Sequence, residues 1–173
     1  MVGHRCRGAQ EFEHWHSHEH FPERLALPGF LRALRWADAG GGPCRVLDSS
    51  GSTVAGHALT LRCSPAAAGE QQRLHSHLRA LVRALPAQPG LVGAQLLQTD
   101  KPAIAPTTEQ RLRGLADQAA DWIFIATGYD APVLARLAES ALSAAALQNA
   151  GAAAGSVTAA YGLRGASTSA EAC

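Results

Sequence analysis

Aromatic residues are scarce in this chain of 173 residues, at 5%, and there is one methionine, so any core must be built mainly from leucine, valine and alanine. Charge is sparse as well. Lys and Arg number 15 and Asp and Glu 14, for a formal net charge of +1, so no strong field exists to gather a polyanion. No nucleic-acid partner and no anionic lipid surface are expected. The four cysteines, Cys6, Cys44, Cys63 and Cys173, show no Cys-x-x-Cys spacing, and the opening MVGHRCRGAQ contains no apolar signal region. A reducing, cytoplasmic location is expected. Long hydrophobic runs are missing too: Trp122 to Ala126 is too short to span a bilayer, and Ala141 to Ala154 is interrupted by Ser143, Gln148, Asn149 and Gly151. No membrane span is expected. What remains is a hydrophobic fraction of 47%, which excludes a disordered chain and supports a self-sufficient core.

Periodicity organises the second half. His57 to Cys63 alternates as a strand does, and Glu70 to Leu85 switches to helical spacing with Leu74, Leu78, Leu81, Val82 and Leu85 on one stripe. Pro86 to Gly90 breaks that helix. Leu91 to Gln98 and Asp121 to Thr127 read as strands, Ala131 to Gln148 as one helix, and Ser156 to Leu163 as a last strand. The order β-α-β-β-α-β predicts a ferredoxin-like α+β unit over residues 55–165, with helices on one face of an antiparallel sheet. The linker from Thr99 to Ala120 is too long for a hairpin, and Thr107 to Arg113 within it has the Thr and Glu of a helix start. Residues 166–173 are expected to be a disordered tail.

The first half repeats part of this plan. His16-Ser17-His18 recurs as His75-Ser76-His77, 59 residues later, and Pro28-Gly29 recurs as Pro89-Gly90, 61 residues later. Residues 1–54 therefore read as a partial ferredoxin-like repeat: a helix over 11–26, a strand over 30–37 and a closing strand over 44–48. Superposed on the later helix, Trp15, Glu19, Pro22, Glu23 and Ala26 fall where it has its buried stripe. Glu19 and Glu23 would then face inward, one turn apart, where ionised carboxylates are costly unless they are paired or line a solvated cleft. Arg24, Arg32 and Arg35 are available partners. The alternative is a helix rotated so that its polar side lies in water.

Histidine is the one chemically versatile residue that is concentrated. His14, His16, His18 and His20 lie within seven residues, beside Glu13 and Glu19. On a helix His16 and His20 share a face, which resembles a two-ligand metal clamp, and His16 to His20 also fits the H-x-x-E-H pattern of inverted zinc peptidases. A further acidic ligand and a large substrate chamber are lacking, so no metal is expected. Acid–base work by His16 or His20 beside Glu19 fits better, because imidazole titrates near neutrality and a carboxylate orients its ring. His16, Glu19, His20 and Glu23 are thus the candidate catalytic residues. His75 and His77 are expected at the surface, and Trp122 in core or dimer packing. Gly3, Gly8 and Gly40 to Gly42 form no phosphate-binding loop, and no nucleotide, flavin or other cofactor is expected.

Trp15, Glu19-His20, Pro22-Glu23-Arg24, Pro28-Gly29-Phe30 and Arg35 resemble the W…EH-x-PER…PGF signature of EthD-like proteins in the dimeric α/β-barrel superfamily, most strongly over Phe12 to Trp36. The resemblance implies ferredoxin-like units joined sheet to sheet as a barrel, within one chain or between chains, and a cleft between helices and sheet. It adds Trp15 and Phe30 to Arg24 and Arg35 as candidates for holding substrate. The superfamily includes small monooxygenases, lactone isomerases, polyketide cyclases and haem-handling enzymes, so the fold alone selects no reaction. This chain departs from the pattern in lacking the opening strand of its first repeat and the elements between Gly42 and Cys44. The exposed edges this leaves imply a homodimer. The expected function is binding of a small aromatic or carbonyl metabolite, with acid–base isomerase, cyclase or cofactor-independent oxygenase chemistry. The alternatives are a non-catalytic binding or assembly module, and a haem- or metal-binding barrel that uses the His cluster.

Overall fold

The computed structural model describes residue 11 and residues 14–27, 32–36, 44–52, 54–99 and 120–168. The helical start expected over 107–113, the candidate Phe30, the Pro28-Gly29 break, Cys6, Cys173 and the last five residues lie outside that set. Of Arg32, Ala33, Arg35, Trp36 and Thr168 the backbone alone is described. In chain order the elements are a π-helical turn His16–His20, α1 (Phe21–Leu25), β1 (Arg32–Trp36), β2 (Cys44–Gly51), β3 (His57–Cys63), α2 (Gln71–Ala84), β4 (Leu91–Thr99), β5 (Trp122–Gly128), α3 (Ala131–Glu139), α4 (Ala144–Asn149) and β6 (Val157–Thr168). Two compact units divide the chain: Gly40–Gly162, and Met1–Ala39 with Leu163–Cys173.

In the larger unit five strands pair antiparallel in the order β6-β3-β5-β4-β2. Without β2 this is a ferredoxin-like unit: β3-α2-β4 and β5-α3/α4-β6 interleave, so that the first and third of the four strands are central. The strand alternation read from the sequence is the physical cause. Leu59, Leu61 and Cys63 of β3, Ala94 and Leu96 of β4, and Trp122, Phe124 and Ala126 of β5 point to one face, and the α2 stripe Leu74, Leu78 and Val82 closes on it. Leu134 and Leu137 of α3, with Leu142 and Leu147, complete the layer. Phe124, Leu61, Leu74, Leu78 and Leu96 are fully buried, each worth about 1.5–3 kcal/mol against exposure.

Three expectations need correction. The helix expected over 131–148 is two helices. Asp130 starts α3 by accepting from the Val133 N–H. At the far end the Ser140 hydroxyl donates to the Arg136 carbonyl, and Ser140 leaves the helical region (φ −113, ψ −97). Ser143 then caps α4 by accepting from the Ala146 N–H, so that two serines competing for backbone groups break the run and let Leu142 turn into the core.

The strand expected over 44–48 as the end of a first repeat instead runs to Gly51 and pairs along β4, inside the larger unit. The two units therefore do not divide at the expected boundary of 54/55. The close approach depends on Gly93, where a Cβ would lie 1.9 Å from the Ser52 carbonyl oxygen, and on Gly51, whose φ of +73 suits only glycine there. Thr127, buried, donates its hydroxyl to that same Ser52 carbonyl at 2.7 Å. Finally, the last strand does not end at Leu163. It continues to Thr168 because its second half pairs with β1, from Trp36 opposite Leu163 to Arg32 opposite Thr168, so residues 166–168 are strand and not tail. In the smaller unit this pairing accompanies a short helical segment whose buried residues are Phe21 and Leu25.

Candidate functional site

A β-bulge borders a concavity in the larger unit. Along β2 the register passes from Val46 opposite Leu97 to Asp48 opposite Leu96, which leaves Leu47 as the extra residue. The bulge turns both Leu47 and Asp48 toward α2: Leu47 packs on the core, and Asp48 meets the α2 side chains. Arg79 Nε donates to the Asp48 carboxylate at 3.0 and 3.2 Å, and His75 Nε2 lies 4.0 Å from it. Beside this group opens a cleft of about 310 Å³, lined by Leu47, Gln98 and Trp122 from the sheet and by Ala68, Gln71, Gln72 and His75 from α2 and its lead-in. Gln98 sits directly opposite both Arg45 and Trp122, so these three form one cross-strand row. Arg45 donates to Gln98 Oε1, and the His75 ring lies 5.7 Å from the Trp122 ring. An apolar floor, three carboxamides and one imidazole beside a carboxylate suit a small polar organic molecule.

The residues singled out from the sequence lie in the smaller unit, and the inward orientation of Glu19 and Glu23 is not found. Both carboxylates and Arg24 are exposed, Trp15 is 42% exposed, and the buried residues are Phe21 and Leu25. Pro22 explains the change. Having no N–H, it cannot bond the carbonyl four residues back, and the preceding turn widens so that Phe21 N–H reaches the His16 carbonyl, five residues back. The extra residue in that turn rotates the Trp15-Glu19-Glu23 stripe away from its α2 counterpart. What the turn does gather is rings. His16 and His20 are half-buried with centroids 5.0 Å apart, Trp15 stacks on His20 at 4.9 Å, Phe21 meets His16 edge-on at 4.5 Å, and His14 stacks on His18 at 4.3 Å. Among the described residues no three His, Cys, Asp or Glu side chains converge as a metal site would require. Arg35 is placed by its backbone in β1.

His75, expected at the surface, is half-buried and lines the cleft. The signal available for it was the Gln71-Gln72-x-x-His75 spacing, which sets polar groups one turn apart beside the Leu74 and Leu78 stripe. The bulge that adds Asp48 has no signature of its own in the sequence. Cys63, by contrast, is inert: burial in the core pushes its thiol up to about 11, with the Asp121 carboxylate adding to the effect.

No protein-family model matches the chain, and no curated protein matches it significantly. Solved structures do. The heme-degrading enzyme LmHde from Listeria monocytogenes is similar over 83% of this chain and 93% of its own, with a TM-score of 0.52 and 15% identity. An uncharacterized ferredoxin-fold protein from the same species, related to antibiotic biosynthesis monooxygenases, is similar over 85% of this chain and 89% of its own, with a TM-score of 0.52 and 14% identity. A major regulator of staphylococcal pathogenesis gives 83%, 92%, 0.52 and 12%. At such identities the likeness establishes a fold alone: the chain is an α+β protein of the ferredoxin-like type. Among the described residues no helix is long and apolar enough to cross a membrane.

Proposed function

We propose that the chain binds a small organic metabolite in the cleft between α2 and the ends of β2, β4 and β5. The observation that carries this is the concavity beside the bulge at Leu47, where Trp122, His75 and three glutamines meet and Asp48 lies 4.0 Å from His75. Bulges recur beside binding sites because they re-aim side chains. Acid–base chemistry on the bound molecule would fall to His75, with Asp48 orienting the ring and Arg79 balancing the carboxylate. The test is a thermal-shift screen against aromatic and carbonyl metabolites, repeated on Ala68→Phe, which fills the cleft. A compound that raises Tm in the parent but not in the variant supports the proposal, and equal shifts in both reject it.

In a second reading, His16, Glu19, His20 and Glu23 carry the acid–base chemistry, with Trp15, Arg24, Phe30 and Arg35 holding the substrate. It is favoured by the half-buried pair His16 and His20, which meet edge-on, with Trp15 stacked on His20. A Glu19→Gln/His20→Ala double variant that loses turnover or ligand binding with its fold intact supports it, and unchanged behaviour rejects it. We further propose EthD-like membership, from the Trp15 to Arg35 signature, a cytoplasmic location and no nucleic-acid partner. We also propose a homodimer, because the sheet face opposite the helices carries Leu97, Ile123 and Ile125 and leaves Val46 56% and Val157 49% exposed. A strictly monomeric particle in light scattering contradicts the dimer.

A further inference from the structure

One polar group in the cleft has its direction settled by its neighbour. The Arg45 guanidinium has only N–H donors, so the Gln98 atom that meets it is the amide oxygen. The Gln98 Nε2 amino group is therefore turned away from Arg45. It makes no hydrogen bond among the described residues, in a side chain that lines the cleft next to Trp122. A carboxamide free to rotate turns either end toward the cleft, whereas one held at its oxygen presents its Nε2 donor there. The nearby carboxylates are matched already, Asp48 with Arg79 and Glu70 with Arg73 at 2.7 Å, whereas Arg45 meets the neutral Gln98. The lining itself contains no Asp, Glu, Lys or Arg. A cationic ligand would find no carboxylate in the lining, and a purely hydrocarbon one would leave the Nε2 donor unpaired.

We infer that the cleft selects cyclic compounds bearing a carbonyl oxygen, which accepts from Gln98 Nε2, and that Arg45 is the positioning residue that enforces this preference. The inference rests on the cleft being the binding site, as proposed above. It is tested with three bicyclic probes of similar shape: 1-indanone, which carries an acceptor, indane, which carries neither group, and indole, which carries a donor. Binding is followed through the Trp122 indole N–H in NMR titrations of the full chain. In the parent protein 1-indanone should bind about ten-fold tighter than indane or indole. Gln98→Leu should bring 1-indanone and indane level. Arg45→Met, which frees the amide to turn, should narrow the gap between 1-indanone and indole, and Arg45→Lys should restore it. If 1-indanone and indane move the Trp122 signal with equal affinity, the carbonyl preference is overturned while the cleft survives as a site. An unchanged ranking in a folded Arg45→Met protein removes Arg45 from the account. If no probe moves Trp122, both the site and the preference fall.

Discussion

In α2 the His75-Ser76-His77 step runs beside Leu74 and Leu78, both fully buried, so the helix is seated by leucines and His75 is carried to the cleft. In the earlier segment the same tripeptide, His16-Ser17-His18, lies in a wide turn with no buried residue of its own, and the short helix α1 after it is anchored by Phe21 and Leu25. One motif thus has two outcomes, decided by residues outside it. Apolar residues at i, i+4 and i+8 hold α2 to a defined face, whereas Pro22 breaks the hydrogen-bond ladder that would have given the earlier helix the same orientation. A repeated polar tripeptide is therefore evidence of a repeated element and poor evidence of a repeated site.

Substitutions sharpen the contrast. Leu78→Ala should cost about 2–5 kcal/mol in urea denaturation, and Phe21→Ala less than half as much, because the earlier segment buries few groups. Equal costs would show the two helices to be equally seated. Gly93→Ala drives a methyl group into the Ser52 carbonyl and should cost about 1–3 kcal/mol, with loss of hydrogen-exchange protection along β2. Arg79→Met should cost about 1 kcal/mol, with the penalty shrinking as salt is added. The smallest effect is expected from Glu19→Gln with Glu23→Gln, within about 0.5 kcal/mol, since both carboxylates are in water. A loss well above that would restore their inward orientation.

Cys63 offers a check by pH. Its thiol is raised in the folded state, from an ordinary 9.0 to about 11, so the folded protein holds a proton that the unfolded chain releases in that window. Its contribution to stability is present below pH 9 and lost as pH rises toward 11, and Cys63→Ala should flatten that decline in melts between those values. At pH 8 the folded protein should carry roughly a hundredfold less Cys63 thiolate than the unfolded chain, which alkylation rates would show.

The ferredoxin-like unit was legible because its strands alternate cleanly and its α2 stripe has no polar interruption. β3, α2, β4 and β5 lie within a residue or so of where periodicity put them. The long Ala131 to Gln148 helix was not legible as two, since alanine satisfies helical spacing whether or not Ser140 lets the helix continue. β2 could not be assigned to its partner, because Ser49, Ser50 and Gly51 give no strong apolar alternation to choose a sheet. The cleft was hidden for a related reason: a bulge places Leu47 and Asp48 on the same side, which strict alternation forbids. The candidates chosen instead were the most conspicuous titratable residues, and the ring stack they form depends on a turn geometry that residue spacing does not specify.

The pairing of β1 with the second half of β6 also governs the order of events at the ribosome. The strand Arg32–Trp36 emerges early, yet its partners from Leu163 to Thr168 are made only after the whole larger unit has been synthesised. At ordinary rates of translation that is a wait on the order of ten seconds, during which the backbone groups of β1 stay unclaimed. Shortening the nascent chain before Gly165 would make the delay permanent, so the same few residues set both when the smaller unit closes and whether it can.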